Sequence, residues 1–167
     1  MKRKIKSDDG SVYEGETLNG KPHGKGKKTF RNNWYEDGEW KNGEFLRGKV
    51  NYYDWNKESY YEGDWADGKP NGKGNLYYVT CRLMYEGDWV DGKYHGKGKL
   101  DDEYTVYEGD FVDGYFHGKG RYAYVPGDGR VYEGDFAYDE FHGKGKMTYK
   151  DGRVEEGNWE KGKFTGK

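Results

Sequence analysis

Tyr61-Glu62-Gly63-Asp64-Trp65-Ala66-Asp67-Gly68-Lys69-Pro70-Asn71-Gly72-Lys73-Gly74 decides how the rest of the chain reads. Its first half alternates: Tyr61, Gly63 and Trp65 fall on one side of an extended chain, and Glu62 and Asp64 on the other. Asp67-Gly68 then supplies the two residues of a type I′ turn, which needs positive φ at both positions. The second half returns as another strand whose glycines alternate with Lys73. The stretch is therefore a β-hairpin with an aromatic-and-glycine face and a charged face.

The same hairpin recurs along the chain. Tyr-Glu-Gly-Asp followed by an aromatic residue stands at Tyr61, Tyr85, Tyr107 and Tyr132, with weaker copies around Gly15, Gly38 and Gly157. The seven marker glycines, 15, 38, 63, 87, 109, 134 and 157, lie 22 to 25 residues apart, a period that marks a repeat architecture. A second motif follows, as in His23-Gly24-Lys25-Gly26, His95-Gly96-Lys97-Gly98, His117-Gly118-Lys119-Gly120 and His142-Gly143-Lys144-Gly145. Asn19-Gly20, Asn42-Gly43, Asp91-Gly92 and Asp113-Gly114 are the matching turns. Acidic side chains on first strands and Lys on second strands lie opposite one another on the charged face. Seven hairpins give 14 strands, and an open sheet of that length should twist or coil. The glycines leave hollows that rings from the next strand can cover.

Composition sets the remaining bounds. Of 167 residues, 19% are aromatic, 18 of them Tyr and 6 Trp, and 29 are Gly. Leu, Ile, Val and Phe together make up about 13%, a level at which disorder is the default. A net charge of only -2 and the large area each ring buries argue for a thin aromatic core instead. That charge gives no general attraction to nucleic acid. Cys81 is the single cysteine, so no intrachain disulfide exists. No apolar run has the length of a membrane helix, and the start carries no secretory signal, so a cytoplasmic protein is the expectation.

The Tyr-Glu-Gly-Asp-Trp … Asp-Gly-Lys-x-His-Gly-Lys-Gly pattern resembles the MORN repeat (membrane occupation and recognition nexus). The resemblance runs from Val12 to Gly166, so residues 1–10 read as a basic tail and residues 11–167 as the repeat domain, the seventh repeat being truncated. It implies an all-β fold, an elongated, twisted single-layer antiparallel meander with a groove. It also implies binding of proteins, homodimerisation, or attachment to membranes and cytoskeleton, often beside a catalytic domain. Departures occur at Asp37, an extra residue expected to form a β-bulge, at Val50, which replaces a glycine, and at Asp139, which replaces a turn glycine.

Catalytic and cofactor chemistry finds no footing. His95, His117 and His142 share one register but stand two strands apart, roughly 9.5 Å, too far for one metal. Gly63 to Pro70 imitates a phosphate loop, yet no helix follows it. Acidic pairs such as Glu62 and Asp64 recur on nearly every hairpin, as a solvated face would. The expectation is a non-catalytic scaffold without metal or cofactor. It would bind a protein or peptide in a groove of Tyr61, Trp65, Tyr85, Trp89, Tyr107, Phe111, Tyr132 and Phe136, since Tyr and Trp dominate binding hot spots. Two alternatives are a tether to anionic membrane lipid through Lys2, Arg3, Lys4 and Lys6, and a regulatory subunit of an enzyme on another chain. The tail itself reads as solvated and disordered when no lipid is bound. The final strand reads as an open edge, with Glu155, Glu156 and Trp159 marking a possible homodimer contact.

Overall fold

The computed structural model describes residues 2–54, 59–78, 80, 82–125 and 127–166. Every element in it is a β-strand, and within each unit the strands pair antiparallel with their neighbours in sequence. The chain divides into two compact units, Met1–Arg82 and Leu83–Lys167. In the first, β1 (Lys2–Lys6), β2 (Val12–Leu18), β3 (Lys21–Thr29), β4 (Tyr35–Lys41), β5 (Glu44–Asp54), β6 (Ser59–Ala66) and β7 (Lys69–Tyr78) form a meander. In the second, β8 (Leu83–Val90), β9 (Lys93–Asp101), β10 (Thr105–Val112), β11 (Tyr115–Tyr124), β12 (Val131–Ala137), β13 (Glu140–Thr148), β14 (Val154–Glu160) and β15 (Lys163–Gly166) do the same.

The hairpin turns follow the sequence closely. Asn19-Gly20, Asn42-Gly43, Asp67-Gly68, Asp91-Gly92, Asp113-Gly114 and Lys161-Gly162 all carry positive φ at both residues. The sixth turn does so without glycine, at Tyr138 (φ 51) and Asp139 (φ 67).

Four expectations need correction. Fifteen strands form, because Lys2–Lys6 pairs in register with Val12 to Glu16. The basic segment is thus an edge strand, not a disordered tail. Asp37 makes no bulge: Tyr35 to Trp40 pairs evenly with Gly24 to Thr29, and the irregularity in that hairpin falls between Glu39 and Trp40. The extra residue instead moves Tyr35 out of the tyrosine register, and Val50, 3% exposed, supplies buried apolar volume there. Finally, bulges are the rule elsewhere. The register shifts just after Gly15, Gly63, Gly87, Gly109 and Gly134. The first glycine of the His-Gly-Lys-Gly motif is the residue that accommodates it, as Gly96 (φ 59) does.

Candidate functional site

The aromatic face is built around one tyrosine in each of five of the seven repeats. Tyr85 lies over Gly87 on its own strand and Gly98 on the partner strand. A Cβ on Gly98 would stand 2.7 Å from the Tyr85 ring, and one on Gly87 2.6 Å from the Gly98 Cα. The covering ring therefore comes from the same hairpin, where the sequence suggested the next strand. The Tyr85 hydroxyl donates to the Asp88 carbonyl at 2.8 Å, at the bulge where the ladder breaks. Tyr13, Tyr61, Tyr107 and Tyr132 make the equivalent bond to Glu16, Asp64, Asp110 and Asp135. A phenol thus fits where a phenyl ring would leave a buried acceptor unpaired. Burial pushes the Tyr132 hydroxyl up to about 12, helped by the nearby Asp135 charge. The same causes push Tyr61, Tyr85 and Tyr107 well up.

Rings then close over these tyrosines. Tyr94 stacks on Tyr85 with centroids 3.9 Å apart, Phe116 on Tyr107 at 3.9 Å and Phe141 on Tyr132 at 4.0 Å. Edge-on contacts join repeats: Tyr85 to Phe111 at 5.4 Å, Tyr107 to Phe136 at 5.0 Å and Tyr132 to Trp159 at 5.2 Å. In the second unit the sheet face is covered by its own second layer of rings. There Tyr85, Tyr107 and Tyr132 are wholly buried, and Trp89, Phe111 and Phe136 nearly so; in the first unit Tyr61 is nearly buried too. These seven, expected to line a groove, are core that no partner can touch without rearrangement. Trp65 alone of the eight remains half-buried, beside Gly26, Gly38, Gly48 and Arg47 in an open concavity.

The accessible surface of the face belongs to residues outside that set of eight. In the second unit a shallow concavity is lined by Leu100, Phe116, Tyr122, Tyr124 and Phe141, with Asp139, Glu140 and Lys161 at its rim. Phe116 and Phe141 occupy the variable position of Asp-Gly-Lys-x-His, where the first and third repeats carry Pro22 and Pro70. An aromatic residue at that variable position was the available signal.

The opposite face carries the charge pairs. Lys97 meets Asp110 at 2.6 Å, Lys119 meets Asp135 at 2.5 Å and Lys49 meets Asp64 at 2.8 Å. Each is solvent-exposed enough to contribute at most about 1 kcal/mol. Strand alternation puts Lys2, Lys4 and Lys6 on one face of β1, where Lys4 pairs with Glu14 at 2.5 Å, and Arg3 on the other. At the far end Trp159 is 5% exposed and its Nε1 donates to the Gly145 carbonyl at 3.1 Å. It is core, so it cannot serve as a free dimer contact. Glu155 accepts from the Tyr149 hydroxyl at 2.6 Å, while Glu156 is exposed. β15 pairs with Asn158 to Glu160. Among the described residues no group of three His, Cys, Asp or Glu is placed to hold a metal, and no helix is long and apolar enough to cross a membrane. Cys81 lies outside the described residues.

The model of the MORN repeat matches residues 13–35, 37–45, 61–80, 85–102, 107–129, 132–152 and 156–167. The chain belongs to the MORN repeat family. Its seven matched segments fall one on each of the seven hairpins, five of which carry the ring-over-glycine arrangement. MORN repeats are generally non-catalytic modules associated with binding proteins or membrane lipids. No curated protein matches the chain.

Proposed function

We propose that this MORN chain is a non-catalytic scaffold that binds an extended or helical segment of a protein partner on the outer rings of its second unit. One observation carries this reading. Phe116, Phe141, Tyr122 and Tyr124 are only half-buried and converge with Leu100 on one open concavity. Rings with two side-chain torsions lose little entropy on binding and fill pockets well. The polar rim of Asp139, Glu140 and Lys161 matches the usual plan of an apolar centre within a wet border. A lipid tether gains less support, because Lys4, central among the three lysines on one face of β1, is paired with Glu14, and Arg3 lies on the other face.

Site-specific photo-crosslinking tests the reading. A photoreactive phenylalanine at position 122 should give a discrete protein adduct in the lysate of the source cell, and the same residue at position 97 on the charged face should not. Equal adduct patterns from both positions would overturn the assignment to this face.

A further inference from the structure

The tips of the fifth and sixth hairpins differ from the other five. Elsewhere the turn and the residue after it read Asn19-Gly20-Lys21, Asn42-Gly43-Glu44, Asp67-Gly68-Lys69, Asp91-Gly92-Lys93 and Lys161-Gly162-Lys163. Here they read Asp113-Gly114-Tyr115 and Tyr138-Asp139-Glu140, with three carboxylates and no Lys. Two large rings are left in solvent: Tyr115 is 48% and Tyr138 68% exposed. Their centroids lie 6.0 Å apart at 70°, and Tyr138 also meets the edge of His117 at 5.4 Å.

Tyr115 and His117 alternate with Phe116, so this cluster stands on the side of the sheet away from the concavity. It is also held at a conformational cost. Tyr138 and Asp139 adopt φ of 51° and 67° without a glycine between them, a strained choice for a bulky residue. Two hydrogen bonds hold the strained turn. The Asp139 N–H donates to the Phe116 carbonyl at 3.1 Å, and the Phe116 N–H donates to Asp139 Oδ1 at 2.7 Å. The turn they hold places Tyr138 beside Tyr115.

We infer that this tip binds a cationic side chain, Arg or Lys, from a basic segment of a partner protein. Paired tyrosine rings attract a cation through their π faces. Asp113, Asp139 and Glu140 add charge complementarity that steers a basic segment in and excludes acidic ones. The chain uses the same chemistry internally. Arg130 lies 4.3 Å from the Tyr124 ring centroid and Arg153 3.8 Å from that of Tyr149. In those cases the cation comes from the turn beside the ring, whereas the turns at Tyr115 and Tyr138 supply only carboxylates. The two tyrosine rings lie on the other side of the sheet from the concavity, with which the tip shares Asp139 and Glu140.

The test is fluorescence anisotropy with a labelled Arg-Gly-Gly repeat peptide and its citrulline analogue, which keeps the shape and loses the charge. The variant Tyr115→Lys, Tyr138→Asn, Asp139→Gly gives the two tips the residues found at the others, so it should fold and melt no lower than the parent. The parent should bind the arginine peptide in a salt-sensitive manner. The triple variant should lose at least about tenfold in affinity, and Phe141→Ala on the concavity should not. Absence of binding, equal binding of the citrulline peptide, or unchanged binding by the triple variant overturns the inference. So does light scattering that shows the tip occupied by a second copy through its basic β1, as a mass that falls to the monomer in the triple variant.

Discussion

Asp135 Oδ2 accepts the backbone N–H of Lys144, nine residues further on, at 2.9 Å. The same bond joins Asp64 to Lys73, Asp88 to Lys97 and Asp110 to Lys119. It explains why the two halves of the repeat travel together in the sequence. The glycine at positive φ opens the bulge, the Lys N–H loses its ladder partner, and the Asp carboxylate takes its place.

This bond makes stability depend on acid. Partial burial opposes ionisation of Asp135, but the Lys119 ammonium and the Lys144 N–H outweigh it and hold the carboxyl below its usual range. Asp64 is held down likewise, by Lys49 and Lys73 against burial. A carboxyl whose pKa is lower in the folded chain stabilises above the unfolded pKa, and that contribution disappears as pH falls through the folded value. Chemical denaturation should therefore give constant stability down to about pH 5 and a decline below about pH 4. In Asp64→Asn, Asp135→Asn the decline should be shallower.

The tyrosine hydroxyl is a separate requirement. Tyr107→Phe keeps the ring over Gly109 and Gly120 but removes the donor to the Asp110 carbonyl. Urea denaturation should show a loss of about 1–3 kcal/mol, the cost of a buried acceptor left unpaired. A neutral substitution would show that water satisfies that carbonyl.

At high pH the sign reverses. Burial raises the folded pKa of Tyr61, Tyr85, Tyr107 and Tyr132. Their contribution is complete below the unfolded value of about 10 and fades as pH climbs through the folded one. Phenolate absorbance should rise together with loss of the β-sheet circular dichroism signal. Ionisation of these tyrosines without unfolding would contradict the packing.

The two faces should respond differently to substitution. Gly87→Val drives a side chain into the Tyr85 hydroxyl and the Gly98 backbone, and overpacking of that kind costs about 1–3 kcal/mol. Lys97→Gln removes one exposed ion pair and should shift stability by less than about 1 kcal/mol. Similar shifts in melting temperature would refute the face assignment.

How much of this was legible in the sequence follows from which signals are local. Strand alternation and Asn-Gly or Asp-Gly turns act within a few residues, so the hairpin and its two faces could be read from Tyr61 to Gly74 alone, and the family from the seven copies together. The ring-over-glycine pairing was legible in kind, but the identity of the covering ring depends on side-chain direction and was misplaced by one strand. A thin aromatic core was legible from composition, but the complete burial of Tyr85, Tyr107 and Tyr132 was not. That burial arises because Tyr94, Phe116 and Phe141, at a variable position, stack on top of them. The β1 strand was missed because Lys2-Arg3-Lys4 has the composition of a tail, and pairing with β2 overrides that. The candidate contact residues therefore lie one layer further out than the eight rings named from the sequence.

The outer layer is where the functional reading is most directly exposed to failure. Once a cross-linked partner is in hand, its affinity should be measured by calorimetry for Tyr122→Ala and Phe116→Ala, each verified as folded, and for Lys119→Gln on the opposite face. Binding through the concavity predicts a loss of about tenfold or more for the two ring variants and less than about twofold for Lys119→Gln. Unchanged affinity in both ring variants, with a loss in Lys119→Gln, would contradict it and place the partner on the charged face.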